Sequence, residues 1–162
     1  MITAFWDCEG IIFIDYLPKG TTINAEYYSN LLTGPLRETL ARIRPWKLHA
    51  RPLLQHGNVR PHTARMTMAA IADLRWELLP HPAYSPDLAP SDFWLFSELK
   101  KPLRGHRYET LKELKSDLNK WILATPAEFF ELGLKKLIGR WERCIARKGN
   151  YIEKFDKLDV DE

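Results

Sequence analysis

Hydrophobic positions along the chain fall into short runs whose period changes from two to about 3.6. Ile2 to Trp6 and Ile11 to Leu17 are β-rich runs joined across Asp7-Cys8-Glu9-Gly10. They predict a hairpin in which Gly10 is free to take a positive φ, and Pro18-Lys19-Gly20 ends the second strand. From Ile23 to Ile43 the apolar residues Tyr27, Leu31, Leu32, Leu36, Leu40 and Ile43 recur at helical spacing. Gly34-Pro35 interrupts them, and a kink or restart is expected because proline removes a backbone donor and crowds the preceding turn. Leu48 to Gln55 reads as the next strand, with Pro52 tolerable only at its beginning, at an edge or at a bulge.

Pro61 suits a helix start, and His62 to Leu74 carries an apolar stripe through Met66, Ala69, Ala70 and Leu74. Trp76 to Leu79 reads as a short buried strand ended by Pro80-His81-Pro82. Three helices are expected after it. Ser91 to Leu103 offers Leu95, Phe96, Leu99 and Leu103, and the next repeats Leu111, Leu114, Leu118, Trp121 and Ile122. The last follows Thr125-Pro126-Ala127-Glu128, which has the form of a capping box with proline at the first helical position. Its stripe is Phe130, Leu134, Leu137, Ile138, Trp141 and Ile145, and Gly149 is expected to close it. The order β-β-α-β-α-β-α-α-α predicts an α/β fold, a mixed sheet covered by helices, with no internal repeat and no linker.

Composition narrows the class. A length of 162 residues suits one domain, assigned to residues 1–155, followed by an acidic tail over 156–162. An apolar content of 45% with six Trp, six Tyr and seven Phe supports a packed core. No apolar stretch approaches the ~20 residues that span a bilayer, and the start lacks the pattern of a signal peptide. Cys8 and Cys144 read as buried thiols of a reducing compartment, and neither sits in a zinc-type cluster. The chain therefore reads as soluble and intracellular. Its net charge of +3 is small but unevenly placed: Arg37, Arg42, Arg44, Lys47, Arg51, Arg60 and Arg65 stand against the single acid Glu38 between Pro35 and Arg65. Such a stretch suits a phosphate-backbone track, and equally a solvated helix face followed by a loop.

Two loops carry the chemistry. They are Gln55-His56-Gly57-Asn58-Val59-Arg60-Pro61-His62-Thr63 and Tyr84-Ser85-Pro86-Asp87-Leu88-Ala89-Pro90-Ser91-Asp92, with 34 residues between Gly57 and Asp92. Together they resemble the catalytic core of mariner-type (Tc1/mariner superfamily) transposases. The resemblance extends to Trp6-Asp7-Cys8-Glu9-Gly10-Ile11-Ile12, Leu17-Pro18-Lys19-Gly20-Thr21-Thr22-Ile23-Asn24, Leu78-Leu79-Pro80-His81-Pro82, Arg140-Trp141-Glu142-Arg143-Cys144-Ile145 and Gly149-Asn150-Tyr151-Ile152-Glu153. Nearly the whole chain is covered in order. The same kind of sequence forms the transposase half of SETMAR-type histone methyltransferase fusions.

The resemblance implies an RNase H-like fold lacking its first strand, with metal-dependent DNA cleavage and strand transfer as the ancestral reaction. In-line attack on a phosphate uses two divalent cations about 3.5–4 Å apart, Mg2+ or Mn2+ in this family, held by carboxylates. The family's second aspartate falls on Gly57 and its third on Asp92, while the strand bearing the first lies upstream of the segment that opens this chain. Asp92 is thus the one expected surviving metal ligand, and the chain as it stands is expected to be inactive. The other reading is a non-catalytic nucleic-acid-binding or interaction module derived from a transposase. The resemblance also implies DNA as partner, a nuclear location and room for a homodimer.

Arg42, Arg44, Arg60 and His62 are candidate DNA contacts, with Asn58, Arg60 and His62 equally able to pin their own loop. Asp7 and Asp15 read as a turn residue and an exposed strand residue, and Asp87 as a turn or cap residue. His56 neighbours the lost position, but imidazole suits zinc or manganese better than magnesium. Trp94, Trp121 and Trp141 read as core. Loss of a central strand is expected to leave a poorly soluble or molten chain.

Overall fold

A computed structural model describes residues 1–152, so the expected acidic tail lies outside the described residues. The opening hairpin is present. Strand β1 (Ile2–Asp7) pairs with β2 (Gly10–Tyr16) through a two-residue turn, and Gly10 takes φ +136° as its place at the turn required.

Helix α1 (Ala25–Leu31) starts at Asn24, whose side-chain oxygen accepts the Tyr27 N–H at 2.7 Å. At Gly34-Pro35 the helix does not stop. Residues Leu32–Leu36 widen into a single π turn, and α2 (Arg37–Ile43) continues from it. The wider turn accommodates Pro35, which has no N–H to donate. It also corrects a register. Tyr28, Leu32, Leu36 and Leu40 are four residues apart, a spacing that drifts by about 40° per step around an ideal helix. With the π turn inserted, all four are buried in one core cluster with Ile71 and Trp76.

The segment after α2 departs from expectation. Leu48 to Gln55 is not one strand: α3 (Pro45–His49) occupies its start, and β3 is only Leu53–Leu54. Pro45 at the first helical turn explains the helix. Strand β3 pairs in parallel with β4 (Glu77–Leu78), Leu53 opposite Glu77 and Leu54 opposite Leu78. Pro52 is compatible with this ladder because it supplies a carbonyl, which accepts the Glu77 N–H at 2.9 Å. The expected helix over 62–74 is broken in two, α4 (Arg60–Thr63) and α5 (Arg65–Asp73), at the extended residue Ala64. Its buried face is Thr67, Ala70 and Ile71, whereas Met66 is exposed.

The chain forms two compact units. One comprises Met1–Trp6 and Ile11–Tyr84; the other takes in Asp7–Gly10 and the described residues from Ser85. In the first, Phe5, Ile12 and Phe13 of the hairpin and Leu54 and Leu78 of β3 and β4 pack on the same core cluster. The two pairs of strands nevertheless remain separate two-stranded sheets among the described residues.

In the second unit, Ser91–Leu95 forms a π turn leading into α6 (Phe96–Leu99), shorter than the helix expected to reach Leu103. Helix α7 (Leu111–Ala124) begins with a cap that the patterning did not single out: Thr110 accepts the Glu113 N–H, and Glu113 accepts the Glu109 N–H. The expected box at Thr125 does not form. The Thr125 hydroxyl donates to the Trp121 carbonyl, and Pro126 precedes α8 (Ala127–Ala146) as its cap residue. Gly149, at φ +85°, donates to the Cys144 carbonyl and closes α8 as expected.

The buried face of α8 is Phe130, Gly133, Leu137 and Arg140, while Ile138 and Ile145 of the expected stripe are exposed. Trp94 and Trp121 join Phe129 in an aromatic cluster, with ring centroids at 5.1 and 5.7 Å, and Trp94 donates to the Phe129 carbonyl. Both cysteines are free thiols, but Cys8 is exposed, contrary to expectation, because it sits in the hairpin turn.

Gly133 is fixed by packing. A Cβ there would stand 2.2 Å from Trp94 Cδ1, whereas one on Gly139 of the same helix would meet nothing within 4 Å. Replacing a helical glycine by alanine ordinarily adds up to ~1 kcal/mol. Gly139→Ala should follow that rule, and Gly133→Ala should invert it, costing about 1–3 kcal/mol through overpacking. Urea unfolding of both variants, followed by tryptophan fluorescence, measures the difference.

Candidate nucleic-acid site

In the first unit the loop around Gly57 is held by Tyr28 of α1. The Tyr28 side chain is buried in the core, yet its hydroxyl lies 3.0 Å from His56 Nδ1. Its ring lies 4.2 Å from that of His62, and the two imidazoles stack at 4.7 Å with 12° between their planes. His62 Nδ1 donates to the Gly57 carbonyl at 2.9 Å.

One of these bonds assigns a tautomer. A carbonyl only accepts, so His62 carries its proton on Nδ1. Burial raises the Tyr28 hydroxyl well above its ordinary range, so it stays protonated beside His56 Nδ1. Burial, reinforced by the charges of His62 and His81, pulls His56 down to about 4. His62 is lowered by burial as well, against the opposing effect of its bond to the Gly57 carbonyl.

The rest of the loop is pinned from two sides. Asn58 donates to the His81 carbonyl, and the Thr67 hydroxyl, itself paired with buried Ser29 at 3.2 Å, donates to the Pro61 carbonyl. Thus Asn58 and His62 are engaged in holding their own loop, and Arg60 is exposed at the start of α4. Glycine at 57 is required neither by backbone nor by space: its φ is not in the left-handed region, and an added Cβ would meet nothing within 4 Å. Arg42 is exposed on α2, and Arg44 is half-buried where α2 ends. The Arg44 side chain donates to the Ile43 carbonyl.

In the second unit Asp92 is exposed in the first turn of the helical segment, and its backbone N–H donates to the Ala89 carbonyl at 2.8 Å. Asp87 does more than the expected turn residue. Its side chain is buried and Oδ2 accepts the Ile152 N–H at 3.0 Å, while its carbonyl accepts from Arg140 Nη1 at 3.2 Å. The Arg140 guanidinium lies 4.4 Å from the Phe93 ring centroid. These residues, with Asp92 and Tyr151, line a cavity of about 80 Å3. Neither Tyr28 nor the Asp87–Arg140–Ile152 latch was identified as part of a site from sequence. Each partner lies 28 or more residues away along the chain, and nothing local marks the pair.

Asp7 Oδ1 accepts the Glu9 N–H in the turn, and Asp15 accepts the Tyr27 hydroxyl at 2.7 Å, so both carboxylates have local structural partners. Among the described residues no three His, Cys, Asp or Glu side chains come together so as to hold a metal ion. Gly57 has no side-chain donor atom, and its carbonyl oxygen is engaged by His62 Nδ1. A pair of magnesium ions demands several carboxylate oxygens, and position 57 supplies none.

Comparison with known proteins identifies the lineage. A family model described as transposase (partial DDE domain) matches residues 1–49. The mariner Mos1 transposase of Drosophila mauritiana is 39% identical over 155 residues, covering 94% of this chain and 45% of that protein. The human histone-lysine N-methyltransferase SETMAR is 31% identical over 154 residues, covering 94% of this chain and 22% of its own. The structure of the Mos1 transposase catalytic domain with raltegravir and Mn matches with a TM-score of 0.89 at 40% identity, over 94% of this chain and 76% of that one.

The fold is therefore that of an RNase H-like transposase catalytic domain. Within that class the chain belongs to the mariner-type transposase family, and it spans less than half the length of the curated relatives it matches. No helix among the described residues is long and apolar enough to cross a membrane.

The histidine stack predicts a pH dependence. Both imidazoles have folded-state values below the unfolded ~6.5, so the unfolded chain binds more protons in the window beneath it. Their contribution should be complete above pH 6.5 and be lost as pH falls toward about 4, the His56 value. Urea midpoints at pH 7 and pH 5 should differ in the wild type, and the difference should shrink in His56→Gln.

Proposed function

We propose that this chain is a piece of a mariner-type transposase catalytic domain that retains the DNA-handling surface and lacks the metal chemistry. The observation that carries this reading is Gly57, a position without a side-chain donor atom in a loop braced by His62 and Asn58. The ancestral reaction is divalent-metal-dependent DNA cleavage and strand transfer, and Asp92 is the ligand that survives from it. Two cations held apart and in line need carboxylates at each ligand position, and glycine at 57 supplies none.

The two separate sheets on one core support the reading that a further strand, the first of the RNase H-like sheet, belongs between them. The domain reading, a catalytic portion over residues 1–155, goes with it. Purified protein with Mg2+ or Mn2+ should not nick supercoiled DNA. Metal-dependent nicking that disappears in Asp92→Asn would falsify the proposal.

Retained DNA binding has support of its own. From Thr39 to Ala72 there is no acidic residue, while Arg42, Arg44, Lys47, Arg51, Arg60 and Arg65 all fall in that span. The Mos1 relative has been solved as a paired-end complex with the left transposon end. We assign this chain DNA as its partner and the nucleus as its location on that basis. Duplex affinity should fall steeply with added salt, since each neutralised phosphate releases counterions. Replacing Arg42 and Arg44 with glutamine should lower affinity and flatten the salt slope by up to about two. A titration at low salt with no binding at all would leave only a structural remnant.

A further inference from the structure

Trp46 is the feature that neither the fold nor the lost chemistry uses. It lies on α3, a helix with no fully buried residue, and 53% of its surface is exposed. Leu48, two residues on, packs against the core of the first unit. Two residues along a helix turn the side chain by about 200°, so anchoring Leu48 inward directs Trp46 outward. The Arg44 guanidinium carbon stands 6.0 Å from the Trp46 ring centroid, close enough to orient the indole by cation–π attraction. Arg42, Lys47 and Arg51 flank the pair in a span free of acids.

An exposed aromatic ring among cations lacks what a protein-binding hot spot has, an apolar surround that excludes water. It has instead the two elements of a single-strand site, a ring to stack on and cations for the backbone. Duplex bases present their faces to each other and offer Trp46 nothing, whereas an unpaired base offers a whole face.

We propose that the end of α2 and α3 form a binding surface for an unpaired DNA segment, one base stacking on Trp46 and adjacent phosphates meeting Arg42, Arg44, Lys47 and Arg51. This deepens the DNA-binding reading above and rests on it. The test is fluorescence anisotropy with labelled oligothymidylate and with a duplex of equal length, at low salt, on the full chain. Trp46→Ala should weaken oligothymidylate binding by roughly 5- to 100-fold, the range that loss of one base–aromatic stack produces. Trp46→Phe should recover most of it, and duplex affinity should change less than about twofold.

Because the side chain is exposed, the urea midpoint of Trp46→Ala should match the wild type, which separates lost stacking from lost folding. Unchanged oligothymidylate affinity in Trp46→Ala, or an equal loss on both probes, overturns the stacking site while leaving DNA binding in place. Wild-type protein that binds neither probe removes both readings together.

Discussion

Tyr28 joins the two parts of the first unit that would otherwise be independent, its apolar core and its polar loop. The ring belongs to the cluster with Leu32, Leu36 and Leu40, and the hydroxyl reaches His56. A tyrosine can do both because its body is apolar and its tip is a donor. Through His56, and through His62 stacked beside it, the position of Gly57 is tied to the same contacts that hold α1. The π turn at Leu32–Leu36 belongs to this arrangement, since it keeps Tyr28 and Leu40 in one cluster across the proline. Loop placement here is a consequence of core packing, and the frame holds with no side chain at position 57.

The two loops are braced in different ways. The neutral imidazoles, Asn58 and Thr67 all serve the loop's shape, and none of them depends on a carboxylate at 57. Open space around Gly57 means that the glycine relieves no strain. Its effect is chemical, since it leaves a braced loop with no side-chain oxygen at that position. In the second unit Asp87 plays the bracing part, fastening Arg140 and Ile152 behind the turn that presents Asp92. A polar residue buried in this way belongs with its hydrogen-bond partners, and its role is placement.

Much of the architecture was legible because strong local signals agreed. The hairpin followed from alternation around Asp7–Gly10, and the late helices followed from long apolar repeats. Where the reading failed, a tertiary fact overrode a local one. Pro45 started a helix in place of a strand, and Pro52 joined the ladder through its carbonyl alone. Ile138 and Ile145 fit a helical stripe as well as Gly133 and Arg140 do not, yet the latter pair is buried. Trp94 selects that face, because its indole needs the space a glycine leaves and the carbonyl of Phe129.

The chain's own order of residues determined its lineage, its α/β pattern and the lack of a side chain at position 57, because motifs and their spacing are properties of the chain. Only the tertiary structure decided that His56, His62 and Tyr28 form one stack, that Asp87 is a buried latch, and that Trp46 faces outward. Each of these depends on groups distant in sequence or on which side of a helix meets the core. Periodicity leaves those choices open until the packing partner is in place.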